Sequence, residues 1–274
     1  MRSLNGKELS EYITDRQARQ IRTLRQTYRV TPKLAIIQTI DDPVIDTYVR
    51  LKQNYGEDIL AEVAVHKIKQ AELIDTIQML NRDKTVHGII IQLPLTDPSQ
   101  TDLAVSKVLP AKDVDGLGEN ATLTPATAMA IDWLLAGYNI ELKNRKIVIV
   151  GNGRLVGAPL AKLWATGGLD VTVYDDTTAN LANGVRKAQV IVTATGVPGL
   201  ITSQMIQPGA VVVDAGTASE NGKLVGDVAE DVRERTDLTI TPVRGGVGPL
   251  TVTALFDNLI LAARATVEHT TISQ

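Results

Sequence analysis

Apolar positions along this chain follow two periods. From 6 to 28 a charged stretch carries Ile13, Ala18, Ile21 and Leu24 at roughly helical spacing, which predicts an amphipathic helix. KLAIIQ at 33–38 is a short apolar run and predicts a strand. Asp42-Pro43 supplies a cap and a first-turn proline, so a helix starts there. Strand patterns at 61–68 and 87–93 flank a helical pattern at 70–82. Residues 94–123 are loop-rich, with a short helix near 99–108. Thr124-Pro125 repeats the cap-and-proline start and opens a helix to about Ala136. Strands follow at 146–150, 170–174, 190–195, 210–215 and 238–241, and a last helix runs from Thr251 to about Thr266.

Strands alternating with helices predict an α/β fold. The expected arrangement is two α/β domains with a cleft between them, the second a Rossmann-like parallel sheet. The expected boundaries are 1–123, completed by the C-terminal helix 251–274, and 124–250.

Composition narrows the class. Apolar residues are 44% of the chain but aromatics only 3%, so the core is built from Val, Ile, Leu and Ala, as in buried parallel strands. The net charge of −3 offers no electrostatic grip on nucleic acid or membrane. There is no cysteine, which excludes disulfides, thiolate metal sites and thiol nucleophiles. His66, His87 and His269 lack metal-ligand spacing, so no metal is expected. The N-terminus lacks the apolar core of a signal peptide, and no run reads as a membrane span, so the expected location is the cytoplasm.

The clearest chemical signal in the second half is KIVIVGNGRLVGAPLAKLW. A strand runs into Gly151-Asn152-Gly153-Arg154, then Val156 and Gly157 at a helix. Glycines let the backbone approach a pyrophosphate, which then faces helix-start N–H groups. The spacing is G-x-G-x-x-x-G, and the alternative is a glycine turn in a non-binding domain. Asp175 and Asp176 end the second strand, where a carboxylate can bond the adenosine ribose and repel a 2′-phosphate. With no arginine in Gly151-Asn152-Gly153 this leans to NAD over NADP, although Arg154 can fold over a 2′-phosphate. One or both aspartates can instead cap the next turn, a role that suits Asp176 better. Thr195-Gly196 and Gly216-Thr217 end two later strands and can lie under the ribose and nicotinamide.

In the first half, Tyr48 and Lys52 stand four apart on one helix face. Gln92 ends an apolar strand, before Leu93-Pro94, where α/β sheets bind ligands. Asp115 lies in KDVDG at 112–116. An aromatic plate, a lysine, a glutamine and an aspartate can together hold and protonate a flat, nitrogen-rich ring. Each alone has an ordinary reading: a solvated lysine, a packing tyrosine, a turn aspartate. TPVRGGVGPLT at 241–251 can wrap a ligand or simply connect domains.

Together these residues resemble the bifunctional methylenetetrahydrofolate dehydrogenase/methenyltetrahydrofolate cyclohydrolase family over nearly the whole chain. The resemblance rests on Tyr48-Val49-x-x-Lys52, Gln92-Leu93-Pro94-Leu95, Lys112-Asp113-Val114-Asp115-Gly116, Val156-Gly157-x-Pro159, Lys223-Leu224-Val225-Gly226-Asp227-Val228 and Gly245-Gly246-Val247-Gly248-Pro249-Leu250-Thr251. It implies a folate-binding catalytic domain at 1–123, an NAD(P)-binding domain at 124–250, and a homodimer. It implies that Lys52 serves the hydrolysis, Gln92 orients it, Tyr48 stacks on the folate and Asp115 binds the pterin edge. Leu93, Pro94, Gly245, Gly246, Val247, Gly248, Pro249 and Thr251 would complete the folate contacts. Departures from the family pattern include Gly151-Asn152-Gly153, Asp175-Asp176 and Arg244 before Gly245. Two other readings stay open at this point. One is a non-catalytic or single-activity folate- or nucleotide-binding relative. The other is a Rossmann dehydrogenase acting on a small carbonyl compound.

Overall fold

The structure, a computed structural model, describes residues 1–220 and 223–272. In chain order its elements begin with β1 (Arg2–Ser3), α1 (Gly6–Tyr28), β2 (Lys33–Gln38), α2 (Pro43–Ile59) and β3 (Glu62–Lys67). Next come α3 (Leu73–Arg82), β4 (Gly88–Ile91), α4 (Thr101–Lys107), α5 (Ala126–Gly137) and β5 (Ile147–Val150). Then follow α6 (Gly157–Thr166), β6 (Val171–Tyr174), α7 (Leu181–Val185), β7 (Val190–Thr193) and β8 (Val211–Asp214). The chain continues through β9 (Ala218–Glu220), β10 (Lys223–Val225), α8 (Glu230–Arg233), β11 (Thr239–Ile240) and α9 (Val247–Ile272).

The chain divides into two compact units. One joins Met1–Ser10 to Thr127–Thr251; the other joins Glu11–Ala126 to the stretch from Val252. The first ten residues therefore group differently from a division at 123/124. The cause is β1, which pairs in parallel with β11 far along the chain.

The unit that contains Glu11–Ala126 is built on a three-stranded parallel sheet, order β3-β2-β4. Its central strand β2 is buried from Leu34 onward, as both faces of a parallel sheet must be covered. Ala35, Ile37, Ile89 and Ile91 pack with Leu73, Ile77 and Leu80 of α3. Helix α2 starts as its sequence dictates: Asp42 Oδ1 accepts the N–H groups of Val44 and Ile45, with Pro43 in the first turn. Its Ile45, Val49, Gly56 and Ile59 face inward, which leaves Tyr48 and Lys52 on another face.

The other unit carries a parallel sheet in the order β1-β11-β8-β7-β5-β6. Strands β5 and β7 are neighbours although β6 lies between them in sequence, so the strand order reverses there. Ligands bind α/β sheets at the carboxyl ends of strands beside such a reversal. Val148, Val150, Ile191 and Val212 belong to one core cluster with Val185, Val232 and Ile240.

Helix α9 differs from the sequence reading in two ways. It begins at Val247 rather than Thr251, because Pro249 falls in the first turn, where its missing N–H breaks no helical bond. It is also long and apolar enough to cross a membrane by length and composition. Its Ala254, Leu255, Phe256, Leu259, Ile260 and Ala263 are buried, as in a core helix.

Candidate active site

In the unit that contains Glu11–Ala126, the site grows from the end of β4. Gln92 lies one residue past the strand, and its N–H still bonds the Ile37 carbonyl at 2.8 Å. That bond holds the Gln92 backbone in register with β2 while its side chain reaches α2. Lys52 Nζ donates to Gln92 Oε1 at 2.9 Å. Gln92 Nε2 donates to the Leu93 carbonyl at 3.1 Å, just before Pro94. Tyr48 sits one helical turn before Lys52 and is 38% exposed, so its ring offers an open face.

Asp115 is positioned by its neighbours. Asp113 Oδ1 accepts the Gly116 N–H at 2.9 Å and Asp113 Oδ2 the Gly118 N–H at 2.7 Å, closing the loop. Asn258 Nδ2, buried in α9, donates to the carbonyls of Val114 and Thr124. Gly116 has φ +70, and a side chain there would meet the Leu123 carbonyl. Burial pushes the Asp115 carboxyl up to about 6, against the pull of the Lys52 charge and with added repulsion from Asp113. Burial likewise pushes the Lys52 amine below its ordinary range, and the Asp115 charge opposes that shift. Burial thus brings the titration ranges of the acid and the amine closer together, which suits proton transfer.

In the unit that contains Thr127–Thr251, the glycine turn follows β5. Gly151 has φ +103, and a Cβ there would lie 2.4 Å from the Ala194 carbonyl. A Cβ on Gly157 would lie 1.8 Å from the Gly151 carbonyl. Gly153 by contrast faces open space, with nothing within 4 Å. Asn152, Gly153 and Arg154 are exposed, while Val156 and Gly157 turn the chain into α6. A tight turn, an open face beside its second glycine and a helix start fit a dinucleotide pyrophosphate.

Asp175 takes the turn-capping alternative that the sequence leaves open. Its Oδ1 accepts from Thr177 N–H and from the hydroxyls of Thr177 and Thr178, which holds its carboxyl below the usual range. The turn-capping role expected of Asp176 therefore falls to Asp175, and Asp176 is exposed. Thr195 and Gly196 follow β7, and Gly216 and Thr217 follow β8. Gly245 has φ +82 and its carbonyl accepts the Lys7 N–H. Gly246 abuts Gly6, where a Cβ would strike the Gly246 carbonyl. Val247, Gly248, Pro249 and Thr251 lie in the first turns of α9, and the Thr251 hydroxyl bonds the Val247 carbonyl.

Sequence reasoning gave no role to Asp214, Asp227 or Asn258. The first two form a buried polar cluster with Thr195 and Arg233. Asp227 stands in the segment 223–228, but only tertiary packing reveals its burial.

Comparison with known proteins agrees with this geometry. A family model for the tetrahydrofolate dehydrogenase/cyclohydrolase catalytic domain matches residues 4–115. The NAD(P)-binding domain model of the same family matches residues 125–267. The bifunctional protein FolD of Nautilia profundicola is 36% identical over 278 residues, covering 96% of this chain and 98% of that one. The crystal structure of the bifunctional FolD methylenetetrahydrofolate dehydrogenase/cyclohydrolase from Campylobacter jejuni superposes with TM-score 0.90 at 35% identity, covering 97% and 99% of the two chains. The FolD enzyme of Trypanosoma brucei, solved with NADP cofactor and an inhibitor, gives TM-score 0.89 at 30% identity over 97% and 98%.

Proposed function

This chain belongs to the tetrahydrofolate dehydrogenase/cyclohydrolase family, and from that premise we propose which residues carry its two reactions. It is an enzyme that oxidises methylenetetrahydrofolate to methenyltetrahydrofolate with a nicotinamide dinucleotide, and hydrolyses the product to formyltetrahydrofolate. The observation that carries the residue assignment is the 2.9 Å bond from Lys52 to Gln92, beside an aspartate pushed up to about 6.

Lys52 is the proton carrier of the hydrolysis. A neutral amine with one N–H on Gln92 Oε1 keeps a lone pair for the attacking water. Water forms a C–O bond to the methenyl carbon and gives its proton to Lys52. Lys52 then returns the proton to one ring nitrogen, the C–N bond to that nitrogen breaks, and the remaining hydroxyl proton leaves to solvent as the formyl C=O forms. Burial already lowers the Lys52 pKa, and the cationic methenyl group of the bound substrate favours the neutral amine further. Gln92 orients the amine. Tyr48 stacks on the folate ring. Asp115 accepts two hydrogen bonds from the amino-pyrimidine edge of the pterin. Leu93 and Pro94 complete the folate contacts of this unit.

When bound, the dinucleotide supplies the hydride acceptor. Gly151, Asn152, Gly153, Arg154, Val156 and Gly157 hold its pyrophosphate by backbone approach. Thr195, Gly196, Gly216 and Thr217 line its nicotinamide end. Asp175 and Asp176 place negative charge at the adenosine end, and this favours NAD over NADP. We further propose a cytoplasmic homodimer with no nucleic-acid or membrane partner, in keeping with the near-balanced charge.

The test is oxidation of methylenetetrahydrofolate followed at the reduced nicotinamide absorbance, with NAD and NADP side by side. Turnover with NAD at higher kcat/KM is expected. A clear NADP preference removes the reading of Asp175; no turnover with either removes the dehydrogenase half.

A further inference from the structure

Behind the loops assigned to the nicotinamide lies a buried group of charges: Asp214 at the end of β8, Asp227 after β10, and Arg233 in α8. Asp214 has a direct counter-charge, since Arg233 Nη2 donates to its Oδ2 at 2.8 Å. Its Oδ1 also accepts the N–H groups of Asp227 at 3.0 Å and Gly216 at 3.2 Å. Asp227 is different. Its side chain is fully buried, and Oδ2 accepts the Thr195 N–H at 2.6 Å, but Oδ1 has no hydrogen-bond partner. Among the described residues no cation is bonded to it. The group therefore holds two acids to one base.

The unpartnered oxygen faces the cofactor loop at close range. A Cβ on Gly216 would lie 2.0 Å from Asp227 Oδ1, so only glycine backbone can stand there. Burial pushes the Asp227 carboxyl up, whereas the N–H groups of Thr195 and Gly196 and the Thr195 hydroxyl pull it down. A buried carboxylate without a counter-charge is relieved by a cation brought near it. The two redox forms of a nicotinamide dinucleotide differ in this respect: the oxidised ring is positively charged and the reduced ring is neutral.

We infer that Asp227 is a positioning and discriminating residue, which fixes the Thr195–Gly196 turn and biases the dinucleotide site electrostatically towards the oxidised form. The inference rests on the assignment of the loops after β7 and β8 to the nicotinamide. Its consequence is easier release of the reduced cofactor once the hydride has moved.

The experiment measures Kd for the oxidised and reduced forms of NAD, by calorimetry and by reduced-nicotinamide fluorescence, in the native protein and in Asp227→Asn. The amide keeps an oxygen for the Thr195 N–H and removes the charge. The ratio Kd(oxidised)/Kd(reduced) is expected to rise about ten-fold, mainly through weaker binding of the oxidised form. Arg233→Met removes the counter-charge of Asp214 and is expected to move the ratio the opposite way. It decides the matter if Asp227→Asn fails to give a cooperative melt. A ratio unchanged in folded Asp227→Asn, or a shift in the same direction in both variants, overturns the inference. Native protein that binds neither form overturns the dinucleotide reading itself, a result distinct from binding with an unchanged ratio.

Discussion

Lys52 Nζ donates to Gln92 Oε1 at 2.9 Å, joining a helix face to the residue just past a strand. The other end of the same amide is held by the Leu93 carbonyl, so a flip of Gln92 would set a donor against the lysine. The bond fixes both the position and the hydrogen-bond sense of the amine. Two predictions follow from removing either partner.

Lys52→Met keeps the length and much of the packing of the side chain but cannot carry a proton. Hydrolysis of methenyltetrahydrofolate is expected to fall by about 10³-fold, within the usual range for removal of an acid–base group. Oxidation of methylenetetrahydrofolate persists at a measurable level. Stopped-flow loss of the methenyl absorbance gives the first value, and reduced-nicotinamide absorbance the second. Wild-type hydrolysis in this variant would remove the proposed role of Lys52.

Gln92→Glu sets a carboxylate against the amine in place of an amide oxygen. An adjacent negative charge favours the ammonium form, so the Lys52 pKa rises. The acid limb of the hydrolysis pH profile should then move up by about one unit or more. A profile that keeps its midpoint while only the rate falls would mean that Lys52 is not the titrating base.

Asp115 makes stability depend on pH. Its carboxyl is pushed up to about 6 in the folded chain, from an ordinary value of 3.8. A raised carboxyl contributes stability that is fully present below the unfolded value and is lost as pH rises through the folded one. Asp115→Asn removes this dependence. The variant should therefore gain on the native protein between about pH 4 and pH 7, by at most about 3 kcal/mol. Urea melts of both proteins across that window check it. A gap that narrows with rising pH contradicts the assignment.

The parts of the fold legible in the sequence are those fixed by local chemistry. Asp42-Pro43 starts α2 because cap and proline act within one turn. The apolar runs of β2 and β4 announce strands covered on both faces. Long-range features are not legible. Strand β1 has two residues and no periodicity; it exists because β11 offers it an edge. The dense glycine and proline before Thr251 suggest a loop, yet Val247 to Thr251 is helical, since a first-turn proline is tolerated there. Which of Asp175 and Asp176 caps the turn depends on backbone direction, and composition is blind to that. The partnerless oxygen of Asp227 is likewise a product of packing around a residue whose type alone predicts exposure.

The glycine turn yields a prediction that separates folding from binding. Gly157 is required by the fold: a Cβ there would lie 1.8 Å from the Gly151 carbonyl oxygen and 2.8 Å from its carbon, and backbone cannot step aside as a flexible side chain can. Gly157→Ala should cost about 3 kcal/mol or more and lose dinucleotide binding together with stability. Gly153 meets nothing within 4 Å and does not need a left-handed backbone. Gly153→Ala should therefore leave the melting temperature unchanged or slightly higher, because alanine narrows the unfolded ensemble. If the turn cradles a pyrophosphate, the added methyl occupies the space into which the phosphates come, and dinucleotide affinity should drop by about ten-fold or more. Thermal melts and calorimetric titration of the two variants give four numbers. Unchanged affinity in Gly153→Ala would mean that no phosphate approaches the turn there, and the pyrophosphate assignment of residues 151–157 would have to be abandoned.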